Sequence, residues 1–182
     1  MNICDRWAPR PLEFHIVPSY DAKAVDCQVT VSPEGVASSM GHIVDLQVTT
    51  SSFDVGEDDI ITAEFDATSL KVVSEGPKPS DRTEIEKNAA KTLEANKYSK
   101  ITFRSTSVQR DGDRARIEGD LTLHGVTKPI SAQARNDGEH WKAEVTLDQR
   151  DFGIKPYSAM LGALKVKPQV QIKISVPEPG EA

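Results

Sequence analysis

The chain has 182 residues, of which 27% are charged and 5% aromatic, with a formal net charge of −6. This length suits one domain that buries a real core without disulfides or metal. The acidic balance and the scattered Lys and Arg argue against nucleic acid, which needs a concentrated basic face.

Residues 1–10 read as a flexible leader, because Pro9 and Pro11 interrupt regular structure. The stretch carries no apolar run of the kind a signal peptide needs, and no run elsewhere approaches the roughly 20 residues of a bilayer span. A cytoplasmic protein with no membrane span is therefore expected. Cys4 and Cys27 fit no CxxC or metal spacing and are expected to be reduced, non-catalytic thiols.

Period-two alternation, the mark of half-buried strands, then recurs along the chain. Val25, Cys27, Val29 and Val31 alternate with Asp26, Gln28 and Thr30; Val44, Leu46 and Val48 alternate with Asp45 and Gln47. Ile61, Ala63 and Phe65 alternate with Thr62 and Glu64. A single helical interruption follows Pro77 and Pro79. Asp81 and Glu84 have capping-box spacing, and Ile85, Ala89 and Leu93 form one apolar stripe. A helix this short needs a docking surface, either the mouth of a barrel, as a lid, or the side of a sheet, as an edge cover.

In the second half, Ala115, Ile117, Gly119, Leu121 and Leu123 share one face, and a turn is expected over 125–128. Ile130, Ala132 and Ala134 come next, then Trp141, Ala143, Val145 and Leu147, and finally Val170, Ile172, Ile174 and Val176. Polar tips at Arg110–Asp113 and Asn136–Glu139 join neighbouring strands as hairpins. Between the last two strands, residues 150–164 break alternation. This segment, with Phe152, Ile154, Met160, Leu161 and Leu164, is expected to form a short helical turn that covers a barrel end or packs as a structural corner. Residues 178–182 read as a flexible tail.

The expected fold is all-β, with about eight mostly antiparallel strands in a barrel or sandwich occupying residues 11–177. Eight strands is the barrel size at which the interior is either filled or holds one ligand. Many inward positions are small, including Gly119, and large rings are scarce. An ordinary filled core is the default for such an inward set; the small residues point the other way, and the pattern alone leaves both readings open.

Three stretches resemble a known family. Glu118-Gly119-Asp120-Leu121-Thr122-Leu123-His124-Gly125-Val126-Thr127-Lys128-Pro129 resembles the G-x-L-T-x-G-x-T-(K/R)-P hairpin of the YceI-like, polyisoprenoid-binding family. Asp81-Arg82, Ile85-Glu86 and the run from Leu93 through Tyr98 to Ile101-Thr102-Phe103 match its helix, tyrosine and Ile-x-Phe strand. Arg150-x-Phe152-Gly153-Ile154-Lys155-Pro156-Tyr157, followed by Met160 to Val166, resembles one branch of it, as does Gly41-His42. The resemblance implies a lipocalin-like, up-and-down barrel whose tunnel takes a polyprenyl chain or another long lipid. It implies no enzymatic activity and no cofactor, and it is compatible with a homodimer. Many relatives in that family are periplasmic.

On this reading the tunnel lining is Val29, Val31, Val44, Leu46, Phe65, Ile85, Leu93, Phe103, Ile117, Leu121, Leu123, Trp141, Phe152, Ile154, Met160, Leu161 and Leu164. Head-group contacts could come from His42, Arg82, Arg150 and Lys155, for which surface ion pairing is the alternative. His15, His42, His124 and His140 are dispersed without metal-ligand spacing, and no metal is expected. His124 falls at a hairpin tip, where a solvated or turn-stabilising role is expected. Transport, storage or stress protection would follow from lipid binding. A small-barrel isomerase or cyclase, or a plugged barrel acting as a dimeric interaction module, are the readings from other classes.

Overall fold

Each strand with one wet and one dry face must hide the dry one, and here a single curled sheet does so. The computed structural model describes residues 19–21, 24–36, 39, 41–56 and 59–178. Residues 1–10, Cys4, His15 and the tail beyond Glu178 lie outside the described residues. The strands are β1 (Ser19–Asp21), β2 (Asp26–Val31), β3 (Pro33–Glu34), β4 (Val44–Val48), β5 (Ser51–Val55), β6 (Ile61–Asp66) and β7 (Leu70–Val72). After helix α1 (Pro79–Thr92) come β8 (Lys100–Asp111), β9 (Arg114–Leu123), β10 (Val126–Asn136) and β11 (His140–Asp148). The short β12 (Ser158–Ala159) and β13 (Leu164–Val166) precede β14 (Gln169–Pro177).

The main sheet has eleven strands in the order β1-β5-β6-β8-β9-β10-β11-β14-β2-β4-β7, and β12, β13 and β3 form a second, three-stranded sheet. The all-β, antiparallel class is as expected; the strand number is larger. The additional strands in the main sheet are β1, β5 and β7, and the last two come from bent stretches. β4 and β5 are consecutive in the chain yet lie near opposite ends of the sheet, and so do β6 and β7. The bends therefore bring the sheet's two ends together, which removes most of the edge problem. Ser69 holds this corner. Its Oγ accepts the N–H groups of Thr49 (3.2 Å) and Thr50 (3.1 Å), and Asp66 N–H donates to the Thr50 carbonyl at 3.0 Å.

The apolar stripe of α1 docks as its spacing predicts: Ile85, Ala89 and Leu93 pack on the core. The start of the helix differs from expectation. Lys78, not Asp81, is the N-cap, without a side-chain capping bond, and Pro79 opens the helix. Proline suits that position because its φ is preset and its missing N–H needs no partner. Asp81 lies instead in the first turn, where its charge favours the helix dipole. Glu86 fastens α1 to the sheet by accepting Val72 N–H (3.1 Å) and the Lys71 ammonium (2.9 Å).

The β9–β10 turn is tighter than expected and falls at His124-Gly125, with φ of 53° and 75°. Two consecutive left-handed residues give the twist that a two-residue hairpin needs, so Val126 to Pro129 already belong to β10. The expected short helical turn is present as two 3-10 turns, Gln149–Phe152 and Met160–Gly162. Between Ser105 and Ser107 a bulge shifts β8 against β9. Phe103 and Ser105 face inward before it; Val108 and Arg110 face inward after it.

Candidate functional site

The two buried clusters do not fill the shell. Leu46, Val48, Phe65 and Leu70 anchor one; Leu121, Leu147, Ile154 and Val170 anchor the other; and Val29, Ile101, Phe103 and Ile172 pack on both. Between them runs a cavity of about 500 Å³ with an almost wholly apolar wall. Its volume falls in the range of small-molecule sites. The inward residues remain small where rings would be needed to close the space: Ala63, Ala115, Ala132, Ala134 and Ala143 all lie on the wall. Gly119 acts differently from the sequence expectation. A Cβ there would stand 2.6 Å from the Phe103 ring, so the glycine makes room for Phe103 and opens no space.

The structure brings most of the expected lining residues to this wall. Val29, Val31, Val44, Leu46 and Phe65 lie on it, as do Ile85, Leu93 and Phe103. Ile117, Leu121, Leu123, Trp141, Ile154 and Leu164 complete the set. Three expected residues are elsewhere. Phe152 is only 2% exposed, yet it packs in the core behind the wall. Met160 and Leu161 point outward and are exposed, because both take left-handed backbone angles (φ 52° and 53°).

α1 lies across one end of the cavity, with Ile85, Asn88, Ala89, Thr92 and Leu93 facing in. Asn88 Nδ2 donates to the Tyr157 hydroxyl at 3.4 Å, linking the helix to the loop after the first 3-10 turn. His42 is exposed and borders the cavity beside Gly76 at this end. The other head-group candidates do not reach the wall. Arg82 donates from Nε and Nη2 to the carbonyls of Pro77 (3.2 Å) and Ser74 (3.1 Å), bracing the loop that enters α1. Arg150 is held by Asp148 at 2.9 and 2.6 Å, an exposed pair. Lys155 is exposed and outside the wall.

The β8–β9 and β10–β11 hairpins lie at the opposite end. Here the bulge in β8 turns Arg110 inward, and its guanidinium stands 5.4 Å from the centroid of the Trp141 ring. Trp141 Nε1 is buried and, among the described residues, has no hydrogen-bond partner. Arg110 was not among the expected site residues. A polar tip is the natural reading of Arg110–Asp113, and the bulge that reverses the strand's phase is invisible without the partner strand.

Cys27 lies on the wall and is 4% exposed. Burial, reinforced by the negative charge of Asp26, pushes its thiol up to about 12, so it remains a neutral, unreactive group at neutral pH. His124 stabilises its turn: Nδ1 lies 3.2 Å from the Phe152 carbonyl and Nε2 lies 3.6 Å from Glu94. Among the described residues, no group of three or more His, Cys, Asp or Glu could hold a metal ion, and no helix is long and apolar enough to cross a membrane.

Relatives share both sequence and shell. Protein YceI of Shigella flexneri is 42% identical over 77 residues, 37% of this chain and 40% of that protein. A UPF0312 protein of Pseudomonas putida is 40% identical over 89 residues, 42% of this chain and 46% of that protein. The chain thus matches less than half the length of these relatives. BcnA of Burkholderia cenocepacia superposes with a TM-score of 0.62 at 12% identity, over 87% of this chain and 99% of that one. A polyisoprenoid binding domain from Saccharophagus degradans gives 0.59 at 15% identity, over 88% and 98%. At such identities the structural likeness speaks for the fold alone. The family pattern of the YceI-like domain covers residues 19–177, and the chain belongs to that family.

Proposed function

We propose that this chain binds a long apolar molecule, a polyisoprenoid or similar lipid, along the cavity inside its curled sheet, and performs no chemistry on it. The carrying observation is the unfilled interior of about 500 Å³ with an almost wholly apolar wall. A stable fold gains by filling such space with its own side chains, and this one leaves alanines where larger residues would fit. The structural relative from Saccharophagus degradans, described as a polyisoprenoid binding domain, supports the ligand class. Sequestering a lipid in this way serves transport, storage or protection against stress.

The energetics require a long ligand. Each buried methylene contributes about 0.8 kcal/mol, whereas association and ordering cost about 4–15 kcal/mol. A chain of a few carbons cannot meet that cost; one of fifteen or more can. Native mass spectrometry of the purified protein tests the reading directly. The expected result is a mass surplus that organic solvent removes and that returns on adding a long prenyl alcohol. A protein of bare mass that takes up no such alcohol would show the reading to be wrong.

A further inference from the structure

We infer that the Arg110–Trp141 end of the cavity is a polar subsite that receives a neutral oxygen acceptor, a carbonyl oxygen at one end of the apolar ligand. The inference rests on the tunnel reading above and gives the ligand a chemistry and a direction.

The bulge between Ser105 and Ser107 puts Arg110 in the inward row of β8. In register with it stand Ala115 on β9, Ala134 on β10 and Ala143 on β11. These small side chains let the Arg110 chain pass over two strands and place its guanidinium 5.4 Å from the Trp141 ring centroid. The cation fixes the face of the indole, and the indole N–H remains buried without an acceptor among the described residues.

Among the described residues, the buried side-chain polar atoms without a partner are Ser51 Oγ, His124 Nε2 and Trp141 Nε1. Of these residues, Trp141 is the one on the cavity wall. An indole nitrogen is a donor only, so the missing partner must bring a lone pair. Buried donors are seldom left unmade. At the α1 end, by contrast, the wall's amides are engaged: Asn88 with Tyr157, and Gln149 with the Lys167 carbonyl at 3.1 Å. The unmet demand for an oxygen therefore lies at the far end.

The surroundings favour a neutral oxygen over an anion. Asp59 already stands 3.6 Å from the Arg110 guanidinium. Of the nearby cations, Arg135 is engaged by Asp113 (3.2 Å) and Lys142 by Asp137 (2.6 Å). A phosphate or carboxylate placed here would meet several carboxylates and little uncommitted positive charge. A ketone, aldehyde or ester carbonyl meets no such repulsion.

The test compares hexadecan-2-one with hexadecane, each delivered from cyclodextrin to delipidated protein. Wild type should bind the ketone roughly three- to tenfold more tightly, the worth of one net hydrogen bond. Trp141→Phe keeps the ring and the Arg110 stacking but removes the N–H, and it should bind the two equally. A second readout does not depend on that variant folding. In a Trp7→Phe background, the ketone and not the alkane should shift Trp141 emission to longer wavelength. Equal binding of the two by wild type, a ketone preference that survives in Trp141→Phe, or an emission shift common to both ligands overturns the subsite. Failure of folded wild type to bind either one overturns the tunnel reading itself.

Discussion

The rings of Tyr98 and His124 lie 4.5 Å apart, centroid to centroid, inclined at 58°. This contact ties the end of the α1 segment to the β9–β10 turn, and His124 also reaches the Phe152 carbonyl at 3.2 Å. Three chain segments that frame one end of the cavity thus meet at a single imidazole.

Replacing that imidazole should loosen the whole end. His124→Ala removes the Phe152 bond and the ring contact, and is expected to cost about 1–3 kcal/mol in urea denaturation. Gly125→Ala should cost a similar amount for a different reason. Its φ is 75°, and a Cβ would stand 2.7 Å from the Tyr98 ring. A loss below about 0.5 kcal/mol in both variants, the range of ordinary surface substitutions, would show that the junction does not secure the end.

Much of this architecture was legible in the residues, and the exceptions have physical causes. Strands such as β4, β9, β11 and β14 keep one wet and one dry face, so alternation exposes them directly. The Ile85-Ala89-Leu93 stripe exposes α1 in the same way. β5 escapes notice because Ser51, Ser52 and Asp54 give it little apolar contrast. Met160 and Leu161 look like lining by composition, but consecutive left-handed angles turn them outward. Arg82 looks like a head-group ligand by charge, yet its partners are the backbone carbonyls of Ser74 and Pro77, which no side-chain pattern reveals. The inward turn of Arg110 depends on pairing register, a long-range property.

Filling the cavity should abolish retention without unfolding the shell. Leu121 lies on the cavity wall and belongs to the second buried cluster. Overpacking a tight core costs about 1–3 kcal/mol, but here the added ring of Leu121→Trp has space to enter. The expected outcome is a near-native circular dichroism spectrum and melting curve, with no lipid surplus in the native mass spectrum. A variant that purifies with the same bound lipid would remove Leu121 from the binding path.

Affinity should climb with ligand length and then stop. At about 0.8 kcal/mol per methylene, each additional pair of carbons in a series of n-alcohols should tighten binding by up to about fifteenfold. Once the cavity is full, further carbons should add nothing. Competition against a fluorescent fatty probe measures the series; a flat response from the shortest to the longest member contradicts an enclosed tunnel.

Acid should weaken the first 3-10 turn through Asp148. Its carboxylate accepts the Arg150 guanidinium, the Arg150 backbone N–H at 3.0 Å and the Gln169 amide at 2.9 Å. The Arg150 side-chain bond is the main cause that brings its pKa down to about 2. An unfolded Asp titrates near 3.9, so the folded state binds this proton less readily than the unfolded state. The associated stability is present above pH of about 4 and disappears as pH falls toward 2. Melting temperatures of wild type and Asp148→Asn should therefore converge across that interval, with Asp148→Asn the flatter curve. Parallel curves would assign the acid sensitivity to other carboxylates.

Alkali should act in the opposite sense through Cys27. The folded thiol, pushed up to about 12 by burial and then by Asp26, binds its proton more tightly than an unfolded cysteine near 8.5. Its share of stability is complete below pH of about 8.5 and is lost as pH rises toward 12. The same shift governs reactivity, since only the thiolate attacks a disulfide reagent. At pH 8 a thiol with pKa of about 12 is ionised to about one part in ten thousand, against roughly a quarter for one at 8.5. In a Cys4→Ser background, Cys27 should therefore react with a thiol reagent at least about fiftyfold more slowly in the folded protein than in urea, the loss of thiolate being partly offset by the greater nucleophilicity of a more basic one. Saturating the cavity with a long alcohol should slow it further, because Cys27 lies on the cavity wall. Fast labelling of the folded protein, unchanged by ligand, would place the thiol in contact with water and break the dry wall on which the tunnel depends.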